Sequence, residues 1–338
     1  MTGFVTSDEQ DALAHSVRRL LETRSPLQRV RDLEPLGFDG DLHEEFSRSG
    51  LYDIRSFEAS DGVRGKLADC LVVAVECGRA LAPIPYADVV TGRQLTSQLG
   101  GTVSSRDDGL TTFAPISSQR KGDAVLVANG AVKSHAFVLL DGHLCRIAPA
   151  SRRQAANLGH LPFSWVNQSE FVSVPEIAPE AQRALSDTWM VLFSGQLVGL
   201  ARRALELAIL YASTRKQFDS LIGSFQGVAH PMADGLTEIE GTELLVSEAA
   251  WAVDSSDPSA RWLPMAALSR SIRLAERVTG ISLHVHGGYG FTTEYDIQLY
   301  YRRGKGWPAA YVEPAALHSF LVAEFLAEPG QRLGGADR

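Results

Sequence analysis

Apolar residues recur with helical spacing at both ends of the chain and in short β-type runs between them. Near the start, Ser7-Asp8-Glu9-Gln10 has the Ser-x-x-Gln form in which two side chains cap each other's backbone amides. Leu13, Val17, Leu20 and Leu21 then share one helical face, so a helix is predicted from about residue 7. Further helices are predicted over about 41–50 and 66–82. In the second, Leu67, Cys70, Leu71, Val73, Ala74 and Cys77 are apolar nearly all round, the pattern of a buried helix. Pro83 and Pro85 end it, because proline lacks the amide hydrogen and pushes its predecessor out of the helical region. Residues 1–100 read as an all-helical domain.

From 101 to 175 the runs 124–128 and 136–140 are followed by Asn129-Gly130 and Asp141-Gly142, dipeptides that accept positive φ and favour tight hairpins. A small middle β domain is expected. From 176 to 338 the spacing is helical again. Ser186 or Asp187 is expected to cap a helix running to about 214, and Gln226–Val253 forms a second. Asp257-Pro258 should open a third that stops at Gly280, and a shorter helix over about 310–326 should close the group, leaving a frayed tail from Glu328. Three long apolar stripes can be buried only against one another, which predicts a helical bundle. The fold class is multidomain, α and β: an N-terminal helical domain, a reduced middle β domain and a C-terminal four-helix bundle.

Composition narrows the functions. A chain of 338 residues, 45% hydrophobic and 21% charged, is ordinary globular material with ample core. A net charge of -8 argues against a phosphate-backbone footprint, so nucleic acid is not expected as a partner. No apolar run is long enough for a membrane span and the N-terminus lacks a secretory pattern, so a cytoplasmic location is expected. Cys70, Cys77 and Cys145 have no Cys-x-x-Cys spacing, no histidine has a second ligand at metal spacing, and no metal site is expected.

The candidate chemistry lies in 211–226, where Tyr-Ala-Ser-Thr-Arg-Lys-Gln-Phe-Asp-Ser-Leu-Ile-Gly-Ser-Phe-Gln joins two predicted helices and gathers Arg215, Gln217 and Gln226 around a short loop. A second stretch, His286-Gly-Gly-Tyr-Gly-Phe-Thr-Thr-Glu-Tyr295, precedes Tyr301-Arg302. The spacing Tyr-x-x-x-Arg-x-x-Phe, then Phe-Gln-x-Val-x-His and Met232-Ala-Asp234, followed in order by the glycine stretch, resembles the C-terminal domain of the acyl-CoA dehydrogenases. Helix, sheet, helix is also that family's order.

The resemblance implies FAD, held across a subunit boundary with its ADP half gripped by a neighbour's C-terminal domain. By motif position Arg215 would pair with the pyrophosphate, Phe218 would form an apolar wall and Gln226 would hydrogen-bond the adenosine side. Gly287, Gly288 and Gly290 would let backbone amides approach phosphate. Guanidinium suits phosphate oxygens and glycine suits close backbone approach. Asp219 stands where the family carries glycine.

Other family features are missing. The middle-domain loop that holds the flavin has no counterpart in 101–175, where Trp165-Val166-Asn167 reads as a strand near the domain's end. The glutamate that removes the α-proton belongs at one of two positions, and these hold Trp189 and Tyr311. Asp187 and Glu313 lie two residues away, about 200° round a helix. Asp187 reads as a helix cap, and Glu313 is the fallback base. Arg303, where the family has aspartate, reads as a solvated or interface charge.

The pattern resembles the short, catalytically incomplete subunit of heteromeric, actinobacterial steroid-type acyl-CoA dehydrogenases. It implies an α2β2 assembly with a homologous subunit that brings the glutamate, an acyl-CoA substrate, and an electron-transfer flavoprotein as acceptor. Two alternatives stay open: a self-sufficient homo-oligomeric dehydrogenase using Glu313, and a flavin-free acyl-CoA-binding or scaffold homologue.

Overall fold

The computed structural model describes residues 7–55, 65–100, 110–115, 119–140, 142–150, 152–312 and 317–322. Among these residues the N-terminal part has five helices: α1 (Asp8–Arg24), α2 (Leu27–Asp32), α3 (Gly40–Arg48), α4 (Leu67–Arg79) and α5 (Tyr86–Gln98). α1 starts as its sequence dictates, with the Ser7 amide donating to Gln10 Oε1 at 3.2 Å and the Gln10 amide to Ser7 Oγ at 3.3 Å. α4 is buried over nearly its whole length, from Leu67 to Gly78.

Seven strands follow among the described residues: β1 (Leu110–Ala114), β2 (Arg120–Lys121), β3 (Ala124–Val127), β4 (Ser134–Leu140), β5 (His143–Ile147), β6 (Ser164–Asn167) and β7 (Phe171–Ser173). They form two sheets, in the orders β1-β4-β5-β7 and β2-β3-β6. The second hairpin does form, with Leu140 paired to His143 and Gly142 at a φ of 84° between them; Asp141 itself lies outside the described residues. Asn129-Gly130 does not close one. β3 pairs with β2 and β6 while β4 lies in the other sheet, so this dipeptide sends the chain from one sheet to the next. Asn129 keeps its positive φ of 60° there, anchored by Ser134 Oγ donating to its carbonyl at 2.9 Å.

The C-terminal bundle consists of α6 (Pro179–Ala212), α7 (Gln226–Ser255), α8 (Leu263–His286) and α9 (Ile297–Tyr311), with a small hairpin of β8 (Lys216–Gln217) and β9 (Ser220–Leu221) between α6 and α7. Its boundaries differ from the sequence expectation in four places. α6 begins at Pro179, so Asp187 sits inside the helix and faces Arg183 at 3.6 Å instead of capping. Asp257 caps only a short 3-10 turn, 258–260, before α8. Gly280 does not stop α8, which runs on to His286 and ends at Gly287 in a positive-φ conformation. The helix expected over 310–326 is met in part: α9 ends at Tyr311, Val312 turns extended, and residues 317–322 are helical again. Glu313 and the tail from 323 lie outside the described residues.

The middle of α6 is buried on every side, Thr188 to Ala201, because α4 lies against it on one flank and α7 and α8 on the other. The α4–α6 crossing is close enough to demand glycine. A Cβ on Gly78 would stand 1.9 Å from the Gln196 carbonyl oxygen, and one on Gly199 would stand 2.0 Å from that of Val75.

Candidate functional site

The hairpin after α6 carries the first motif. Phe218 and Asp219 are its two-residue loop, both at positive φ (52° and 59°), flanked by the pairs Gln217–Ser220 and Lys216–Leu221. Two successive left-handed residues match the right-handed twist of a hairpin, and aspartate accepts that conformation, which accounts for Asp219 in place of glycine. Phe218 pays a steric penalty there and is 89% exposed, touching Phe225 edge-on at 6.4 Å between centroids.

Arg215 brings the two motifs together. Its guanidinium lies 5.7 Å from the ring centroid of Tyr289, inside the glycine stretch. It forms no ion pair among the described residues, so its charge faces outward. Gln226 is the exposed first residue of α7, and Phe225 at the cap position supplies no side-chain acceptor. The Val228 and Ala229 amides donate to the Phe225 carbonyl at 2.9 Å, which leaves those of Gln226 and Gly227 open at the start of a 30-residue helix, with the positive end of its dipole behind them.

The three glycines divide. Gly287 (φ 59°) and Gly288 are exposed, and a Cβ on either would meet nothing within 4 Å. Gly290 is buried, and a Cβ there would come within 3.0 Å of the Leu283 carbonyl oxygen and His286 Cβ. It serves the packing of the turn against α8. His286 is likewise beneath the surface, donating Nδ1–H to the Ser282 carbonyl at 2.8 Å and stacked on Tyr211 at 4.4 Å. Burial lowers its pKa and keeps it neutral.

Arg215, Gln226, the open glycines and the uncapped helix start thus make a cationic, donor-rich surface suited to an anionic group such as the ADP half of FAD. The base positions are different. Trp189 (α6) and Tyr311 (end of α9) are buried together, 5.1 Å between centroids, within an aromatic cluster. Phe193 stacks on Trp189 at 4.9 Å, and Phe163 meets Tyr311 edge-on at 4.9 Å. Both point their donors at one carboxylate: Trp189 Nε1 at 2.6 Å from Asp88 Oδ1 and Tyr311 OH at 2.7 Å from Asp88 Oδ2. Asn129 Nδ2 adds a third donor to Oδ2 at 2.7 Å.

Asp88, on α5, is 2% exposed. Burial raises its carboxyl to about 6, against the pull of three hydrogen bonds that favour the anion. Beside it a cavity of about 30 Å³ remains, bordered by Ile84, Phe193, Gln196, Arg303 and Tyr311. That holds a water or two; ligand pockets run to ~300–1,000 Å³. The flavin-and-acyl side of a dehydrogenase site therefore does not fit here. A separate cavity of about 830 Å³, bordered by Arg55, Lys66, Thr188 and Trp251, shares none of these groups.

Sequence reasoning missed Asp88; a lone acid in a helix gave no signal. It also misplaced Arg303, which is buried instead of solvated. Arg303 donates to Glu34 Oε1 at 3.2 Å, and burial brings its pKa down to about 10. Arg302 donates to the same oxygen at 2.6 Å and to His160 Nε2 at 2.6 Å.

Residues 189–308 match the family model described as acyl-CoA dehydrogenase, C-terminal domain. Among curated proteins, "Acyl-CoA dehydrogenase IpdE2" of Mycobacterium tuberculosis is 28% identical over 277 residues, covering 80% of this chain and 82% of that protein. Among solved structures, a chain of the "Tcur3481-Tcur3483 steroid ACAD G363A variant" superposes with a TM-score of 0.79 at 21% identity, covering 95% of this chain and 98% of that one. A chain of the ChsE4-ChsE5 complex from Mycobacterium tuberculosis gives 0.72 at 22% identity, covering 96% and 99%. At these identities the superpositions establish a shared fold.

Proposed function

We propose that this chain, whose residues 189–308 match the acyl-CoA dehydrogenase C-terminal domain, acts as one subunit of a heteromeric, FAD-dependent acyl-CoA dehydrogenase, giving ADP-side contacts to a homologous partner that carries the glutamate base. The observation that carries this reading is the pinning of Trp189 and Tyr311 on Asp88. Both places for a base are taken by aromatic side chains, and the space an acyl group needs is packed.

Each residue has a role in this reading. Arg215 offsets pyrophosphate charge, Gln226 and the open start of α7 donate hydrogen bonds, Gly287 and Gly288 let the ligand lie against backbone, and Phe218 covers an apolar face. FAD, when bound, supplies the acceptor for the β-hydride. A thioester of a bulky, steroid-like acid is the substrate class suggested by the name of one similar assembly, and the reading is completed by an α2β2 arrangement and an electron-transfer flavoprotein as acceptor. Among the described residues no helix is long and apolar enough to cross a membrane, and the cytoplasm is the expected setting.

The test is the FAD-to-chain ratio of the protein purified alone and co-expressed with a homologous subunit. Flavin retained only in the complex, at about one per two chains, supports the reading. One flavin per chain in the lone protein, with activity lost in Glu313→Gln, would sink it in favour of a self-sufficient enzyme.

A further inference from the structure

We propose that Asp88 and Asn129 form a proton-operated latch inside the fold: when Asp88 takes up a proton, the Asn129 side-chain amide turns over and accepts it. The geometry rests on donor and acceptor counting. A carboxylate can only accept, so facing ionised Asp88 the asparagine must present its N–H₂, and it does, at 2.7 Å. Its carbonyl oxygen Oδ1 is then left buried with no partner among the described residues. Such an orphaned acceptor is costly inside a residue that is 1% exposed.

Protonation reverses the demand. A proton from solvent on Asp88 Oδ2 converts that oxygen from acceptor to donor, and rotation of the Asn129 amide by half a turn brings Oδ1 to receive it. Trp189 still donates to Asp88 Oδ1, and Tyr311 can use the remaining lone pair of Oδ2. The orphan moves from the Asn129 carbonyl to its N–H₂, and the buried negative charge disappears.

The surroundings leave the proton to this pair. From α6 the group facing Asp88 is the indole of Trp189; from α9 it is Tyr311, whose hydroxyl burial pushes up beyond reach of neutral pH. Arg303 and His160 border the same small cavity. Arg303 is turned to Glu34, and His160 accepts from Arg302 at Nε2 and bonds the Glu34 carbonyl at Nδ1. Neither is among the hydrogen-bond partners of Asp88. Its titration midpoint near pH 6 is set by burial against three neutral donors, within reach of ordinary changes in pH.

The chain offers a clean readout, since it has only three asparagines, Asn129, Asn157 and Asn167. Selective ¹⁵N-asparagine labelling of the full chain gives three pairs of side-chain amide signals, assigned by Asn129→Ser. Between pH 8 and 5 the Asn129 pair should move with a midpoint near 6, with the infrared band of a protonated carboxyl growing in step. Asp88→Asn should abolish both changes. An Asn129 pair that stays fixed across this range overturns the latch, whether or not Asp88→Asn folds, because that observation uses the unaltered protein. A carboxyl band appearing without movement of Asn129 overturns it equally: Asp88 would then titrate without the amide.

Discussion

Trp189 and Tyr311 reach the same Asp88 carboxylate from opposite ends of the bundle sequence, at 2.6 and 2.7 Å, one on each oxygen. One buried acid thus joins into a single structural contact the two positions at which the sequence resemblance would place a base.

Placing a glutamate at residue 311 should therefore not create a base. Tyr311→Glu would put a second carboxylate beside Asp88 in an aromatic cluster, at a cost of about 3–5 kcal/mol. Thermal unfolding should show a much lower Tm, and dye reduction by the lone chain should stay at background. Turnover in this variant would show that the region can admit substrate.

Stability should rise as pH falls from about 7 to 5. The folded-state carboxyl of Asp88 lies near 6, above the ordinary 3.8, so between these values the folded chain binds the proton that the unfolded chain releases. The gain is on the order of 1–3 kcal/mol, and Asp88→Asn should flatten that part of the profile. Below pH 4 the trend reverses, because Glu34, Asp39 and Glu206 have carboxyls held low by arginine partners and lose that stabilisation on protonation. Denaturant midpoints from about pH 2.5 to 8 provide the check.

Glu34 holds Arg303 in the interior. Glu34→Ala should cost about 3–5 kcal/mol by stranding a buried guanidinium, whereas adding Arg303→Met should recover a good part of it. A double-mutant cycle by urea unfolding measures the coupling; additive losses would mean that Arg303 relaxes to water once Glu34 is gone.

Phe218→Asn should separate folding from assembly. Asparagine suits a left-handed hairpin position, so the lone chain should unfold at the same temperature or slightly higher, by up to ~1 kcal/mol in stability. Association with a flavin-retaining partner should weaken by about 1.5–3 kcal/mol, the worth of burying one phenylalanine, and analytical ultracentrifugation reads both species.

The helical segments at both ends, the middle strands and the gathering of Arg215 and Gln226 at one junction were legible because each rests on local rules. Ser7 and Gln10 cap within one turn, Leu140 and His143 pair across one short loop, and Arg215 and Gln226 flank one junction. What escaped depends on partners distant in sequence. Asn129-Gly130 has a hairpin signal, but the sheet assignment of β3 and β4 decides what the turn connects. Gly280 has no left-handed demand on it once α8 packs beyond that point. Arg303 looked like a surface charge until α9 turned it toward Glu34, and Asp88 acquires meaning only when α5, α6 and α9 converge.

The Gly78–Gly199 crossing sets how the molecule comes apart. With backbone against backbone, α4 and α6 contribute to one continuous core that runs from Val17 to Leu317. Neither the first hundred residues nor the bundle has an interior of its own to retreat to, so an excised piece of either should lack independent order, and calorimetry of the whole should give a single peak for both. The change from helix to strand near residue 100 is a change of local geometry, and the unit that melts is larger than any of the segments it separates.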